Sequence, residues 1–276
     1  MAEFTVKPAN STKGFAPAAK GNMPTQLVDT GGSRGFLITG AKDIDFQIDF
    51  TNGRLAGMIW WEVETRNSKV REIWVKVSEP GTYTLEFARS NSGFVVYFIK
   101  IIAVNERKID VSFAYLPGMT DRFISKKLVD TINDIWNLQA AVSVKEAGTF
   151  INDIGKSFNI SERKVDFQNR EHLKALVEYN NPTNANWLVY FVWGIENPGR
   201  TLGFTAADKT LINYPLFKKS DSEAVGRTLA HELGHLICSS PPKHDTQPGD
   251  LMLETSEKHH RNTTIRLPRA LLVGRR

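Results

Sequence analysis

The chain has 276 residues, of which 41% are apolar and 24% charged, the composition of a soluble globular protein with room for one large domain or two of ordinary size. Its longest apolar runs, such as Phe94 to Ile99, are strand-sized, so no membrane-spanning helix is expected, and the single cysteine, Cys238, excludes an internal disulfide framework. The formal charge of +5 is terminal: from His259 onward there are five arginines and no acid, leaving 30 basic residues against 30 acidic ones, and with no basic groove interleaved with aromatics no nucleic-acid partner is expected.

Residues 1–24 are polar and rich in Ala, Lys, Gly and Pro, without the apolar core and small-residue cleavage site of a secretory signal. They read as a flexible tail on a soluble protein that is either cytoplasmic or exported by a specialised route that needs no signal peptide. From 25 to 106 the pattern is strand-like throughout. Asp43 to Phe50 alternates polar and apolar strictly, and further strands are expected over Leu55–Glu64, Val70–Val77, Tyr83–Ala88 and Phe94–Val104, separated by Gly/Asn/Ser/Pro turns. Short strands at this spacing predict an all-β sandwich or jelly-roll-like domain. It contains no histidine, so its expected role is to bind a target or a delivery partner.

From 107 to 276 strands alternate with helices. Ile109–Leu116 reads as a strand, and Thr120 can cap a helix whose apolar stripe is Phe123, Ile124, Leu128, Ile132, Ile135 and Trp136. A short strand over Ala141–Val144, a helix over Glu171–Tyr179 and a fully buried strand over Trp187–Trp193 follow. Two short strands, Gly203–Ala206 and Thr210–Tyr214, lead into a helix for which Ser220 to Glu223 offers a capping box and on which Val225, Leu229, Leu233 and Leu236 are spaced as a core face. The half is therefore α+β, a mixed sheet packed on long helices.

That last helix carries His231-Glu232-Leu233-Gly234-His235. Side chains four apart on a helix share one face, so two imidazoles can meet a single zinc ion, and the carboxylate beside the first can serve as general base toward an activated water. The plain alternative, histidines that face water or bond a carbonyl, leaves Glu232 without a task. A catalytic zinc usually takes three protein ligands. His244 is the first histidine beyond the helix, after Pro241-Pro242 has turned the chain out of it, with Asp245, Asp250 and Glu254 as alternatives.

The order of these elements, the HELGH sequence, His244 and the following Leu251-Met252 together resemble the metzincin clan of zinc peptidases over roughly residues 109–276. The resemblance implies an α+β zincin domain, zinc held by His231, His235 and His244, Glu232 as base, and Met252 as the floor of the site. It also implies that the edge strand at Gly203, Phe204 and Thr205 binds an extended peptide by strand addition. Tyr214, Leu216 and Phe217 suit a specificity pocket or core packing equally. Where the clan's usual spacing puts a Gly and a third His, this chain has Cys238 and Pro241, so His244 requires a loop three residues longer. The implied activity is a zinc endopeptidase acting on a protein or peptide substrate, with a toxin or effector as the expected setting. A zinc hydrolase of cell-wall peptides, or a binding protein with a vestigial zinc site, are the alternatives.

Overall fold

A computed structural model describes residues 5–9, 15–16, 23–39, 46–50, 58–63, 70–89, 95–117, 119, 122–151, 165–166, 182–192, 194–196, 202–206, 208–214, 217, 221–237 and 251–252. Contacts divide the chain chiefly into a first unit over Met1–Arg107 and a second over Lys108–Asn137 and Val142–Ile265.

The described residues of the first unit form two sheets. One has the order β1-β4-β7-β6, from Thr5–Pro8 (β1), Ser33–Thr39 (β4), Met58–Val63 (β6) and Val70–Val77 (β7), and every pair in it is antiparallel. The other has the order β2-β3-β9-β8-β5, from Phe15–Ala16 (β2), Thr25–Asp29 (β3), Phe46–Phe50 (β5), Gly81–Arg89 (β8) and Val95–Val104 (β9), with β3 parallel to β9. The period-two pattern explains the core. Phe36 and Ile38, Ile73, Val75 and Val77, Leu85 and Phe87, and Ile99 and Ile101 each take one face of their strand and join in one buried cluster. The turn after β3 depends on Gly31, whose φ of +85° favours glycine, while its N–H donates to the Val77 carbonyl at 2.6 Å.

One expectation for this unit needs correction. Residues 5–8 and 15–16, expected in a flexible tail, are strands: Val6 is buried in the core, and β1 pairs with β4 in the register Thr5↔Thr39 to Pro8↔Phe36. One buried side chain in a four-residue strand leaves too weak a periodicity to read. Of the strand expected over Asp43 to Phe50, Phe46–Phe50 is a strand, and Asp43 to Asp45 lie outside the described residues.

In the second unit, Arg107–Tyr115 (β10), Val142–Ile151 (β11), Trp187–Val192 (β13), Gly203–Ala206 (β15) and Lys209–Asn213 (β16) form a sheet of order β11-β10-β13-β16-β15. Strands β10, β13 and β16 are parallel, and β15 is an antiparallel edge. Val165–Asp166 (β12) and Ile195–Glu196 (β14) make a separate two-stranded pair. All six residues of β13 are buried, as an unbroken apolar run predicts for a central strand.

Two helices are described, Ser125–Ala140 (α1) and Ser222–Ile237 (α2). Helix α1 starts later than a cap at Thr120, itself outside the described residues, would place it. The reason is Phe123, whose N–H donates to the Tyr115 hydroxyl at 3.1 Å and whose ring packs on Phe191 and Tyr214. The expected stripe is buried at Phe123, Leu128, Ile132, Ile135 and Trp136, but Ile124 is 54% exposed because it precedes the helix. Strand β11 runs to Ile151, well past the expected end at Val144, and the Asn133 side chain fixes its start by bonding both the N–H and the carbonyl of Val144 at 2.7 and 2.9 Å. The helix expected over 171–179 lies outside the described residues.

Candidate metal centre

Helix α2 is a core helix. Asp221 caps it, its carboxylate accepting from the Ala224 N–H at 3.0 Å, one residue later than the capping box read from Ser220, and Glu223 pairs with Arg227 one turn on. Eleven of its sixteen residues are buried, so the helix is fixed by packing on several sides. Gly226 lets α1 approach closely, since a Cβ there would stand 2.7 Å from Thr131 Cβ. The Trp136 indole of α1 donates to the Ala230 carbonyl at 2.8 Å. These contacts hold the helix against rotation, which sets the direction of the two histidines.

His231 and His235 are half-buried, with ring centroids 4.8 Å apart and planes at 77°. Their Nε2 atoms stand 3.1 Å apart. The Nδ1 atom of His231 lies 2.7 Å from the Leu251 carbonyl, and a carbonyl only accepts, so Nδ1 carries the hydrogen and Nε2 is the ring nitrogen with a lone pair. Two imidazole nitrogens bound to one tetrahedral zinc at about 2.0–2.1 Å would be about 3.3 Å apart, so the pair fits such an ion. Among the described residues, His231, Glu232 and His235 bring one ligand-type atom each to within 4.8 Å of one another.

Glu232 is buried. Burial pushes its carboxyl up from 4.5 to about 7, partly offset by a hydrogen bond from the Thr205 hydroxyl, which reaches Oε2 at 2.7 Å. A carboxyl balanced near neutrality suits a group that must take up and return a proton.

The residues read from the sequence are placed as follows. His231, Glu232 and His235 come together on α2. Met252 is 1% exposed, and its thioether lies so close to Gly234 that any Cβ there would overlap it. On edge strand β15, Gly203 and Thr205 turn toward Glu232, whereas Phe204 is exposed on the opposite face. Tyr214 and Phe217, both half-buried, pack on Phe123. His244, Asp245, Asp250, Glu254, Cys238 and Leu216 lie outside the described residues. Sequence reasoning missed the Leu251 carbonyl, the hydroxyl of Thr205 as a partner of Glu232, and the fit of Gly234 to Met252. Only the glycine inside HELGH left a trace in the sequence, since a helix interior disfavours glycine unless something needs the space.

No family model matches the chain, and no curated protein matches it. Among solved structures it is similar to archaemetzincin from Methanopyrus kandleri, at 15% identity over 61% of this chain and 94% of that one, with a TM-score of 0.44. Archaemetzincin from Archaeoglobus fulgidus is 13% identical over 57% of this chain and 93% of that one, at a TM-score of 0.37. Metalloproteinase-II from Bacteroides fragilis is 9% identical over 97% of this chain and 85% of that one, again at 0.37. At TM-scores below 0.5 these likenesses carry no weight for fold or activity; the geometry of His231, Glu232 and His235 does.

Proposed function

We propose that the chain is a zinc-dependent peptidase of metzincin type, with Glu232 as its general base. The observation that carries this reading is the buried Glu232 carboxylate beside two imidazole nitrogens 3.1 Å apart, one of them with its tautomer set for metal binding. A structural zinc site needs no carboxylate in that place.

In this reading His231 and His235 would hold the ion through Nε2, and His244 would complete the set, with Asp245 or Asp250 as substitutes. When bound, zinc would lower the pKa of a water toward neutrality and polarise the peptide carbonyl. Glu232 takes a proton from the attacking water and returns it to the leaving amine. The Leu251 carbonyl keeps the His231 ring in one tautomer and one orientation. Met252, packed on Gly234, supports the underside of the ligand helix. Edge strand β15 would align an extended peptide by strand addition, and the first unit, read as a β-sandwich, would bring the enzyme to its target.

The test is zinc content of the purified chain and cleavage of a mixed quenched-fluorescent peptide library. Wild type is expected to bind about one zinc per chain and to cut a subset of the library, and Glu232→Gln to keep the zinc and lose cleavage. A wild type that holds no zinc and cuts nothing rules the proposal out. Replacing His244 is expected to lower zinc affinity about tenfold or more; unchanged affinity would shift the third ligand to Asp245 or Asp250.

A further inference from the structure

Behind Glu232 runs a line of polar side chains that metal binding does not use. Thr205 on β15 and Thr210 on β16 are direct cross-strand partners. Thr210 also faces Val189 on β13, two residues from Trp187, so all three polar side chains occupy one face of the sheet. The Trp187 Nε1 lies 2.8 Å from Thr210 Oγ1, the two threonine oxygens are 2.7 Å apart, and Thr205 Oγ1 reaches Glu232 Oε2 at 2.7 Å.

With Glu232 ionised, the direction of donation is fixed from both ends. An indole N–H only donates, so Thr210 accepts from Trp187; an ionised carboxylate only accepts, so Thr205 donates to Glu232. The middle bond then runs from Thr210 to Thr205. Trp187 and Thr210 are fully buried, so water does not compete for either. The second carboxylate oxygen has its own neighbour. Gly203 lies on the same face as Thr205, and a Cβ there would come within 2.8 Å of Oε1 and 3.1 Å of Cδ.

We propose that Thr205, oriented by Thr210 and Trp187, and Gly203, which leaves room for the carboxylate, are the positioning residues of Glu232. The role given to Glu232 rests on the peptidase reading above, while the positioning rests on this geometry alone. Burial limits where a glutamate can go but leaves its terminal torsion broad. A hydroxyl that is itself fixed by two further bonds removes that freedom, and a bare glycine backbone closes the other side. Misplacing a catalytic group by about 1 Å can cost on the order of a hundredfold in rate, so a base held by a hydrogen bond at one oxygen and given room at the other has a direct kinetic value.

The experiment compares Thr205→Val, which keeps the shape and removes the hydroxyl, with Thr205→Ser, which keeps the hydroxyl. In the zinc-loaded full chain, assayed on a library peptide that wild type cleaves, Thr205→Val is expected to lower kcat about tenfold or more with KM and zinc content unchanged. Thr205→Ser is expected to recover most of that loss. Crystal structures of the same proteins supply a readout independent of turnover: Glu232 in one conformer in wild type and Thr205→Ser, and in a different or divided one in Thr205→Val. Wild-type kcat in Thr205→Val, or an unmoved Glu232, overturns the proposal. If wild type cleaves nothing, the peptidase reading fails and the Glu232 conformer alone decides the positioning. Should Thr205→Val not fold, Thr210→Val removes the next bond of the line and is read the same way.

Discussion

At the residue scale, Glu232 carries two separable consequences of burial. As a base, its removal in Glu232→Gln should reduce kcat by about a hundredfold or more while zinc stays bound, measured as turnover against metal content. As a buried acid, it should make the metal-free protein sensitive to pH. Its carboxyl ionises near 4.5 when unfolded and at about 7 when folded, so between those values the folded state holds the extra proton. Stability from this group is therefore fully present below about 4.5 and is lost as pH rises toward 7, by about 3 kcal/mol at most. Urea unfolding of the metal-free chain from pH 4.5 to 8 should show wild type losing stability relative to Glu232→Gln, and parallel curves would refute the assignment. The chemistry of His231, Glu232 and His235 was legible in the sequence because their spacing is a property of one helix. The Leu251 carbonyl and the Thr205 hydroxyl were not, since they reach the site from positions 20 and 27 residues away and depend on how the chain folds back.

At the scale of elements, α2 is directed by what it packs against. Gly226 is a point of close approach between the two helices, and the obstructing atom, Thr131 Cβ, is attached directly to the α1 backbone and cannot swing aside. Gly226→Ala should therefore destabilise the protein by about 1–3 kcal/mol through overpacking, although alanine is the better helix former by about 1 kcal/mol. Denaturant unfolding gives the sign directly, and a gain in stability would mean that the helices separate more easily than their packing implies. Strands such as β7 and β13 were read to within a residue because one alternates in burial and the other is apolar throughout. The start of α1 was misread because aromatic packing at Phe123 outweighs the local capping signal at Thr120, and β1 because a single buried valine has no period.

For the whole molecule, the contacts separate a mostly β unit from a unit holding the candidate metal centre, near the residues where the sequence pattern changes from meander to alternation. A ligand that binds the folded state alone stabilises it by mass action, about 2.7 kcal/mol at a free concentration a hundredfold above Kd. Zinc should therefore raise the unfolding midpoint of the full chain, a chelator should reverse the effect, and the double variant His231→Ala, His235→Ala should not respond. A response that survives the double variant would place the ion elsewhere. Among the described residues β15 pairs only with β16, yet it carries both residues that hold the Glu232 carboxylate. A chain bound along its other edge would reduce the conformational entropy of the same four residues, Gly203 to Ala206. Edge occupancy and the motional freedom of the base would then be one coupled variable, so a ligand that never touches Glu232 should still narrow its motion and slow amide exchange along the strand.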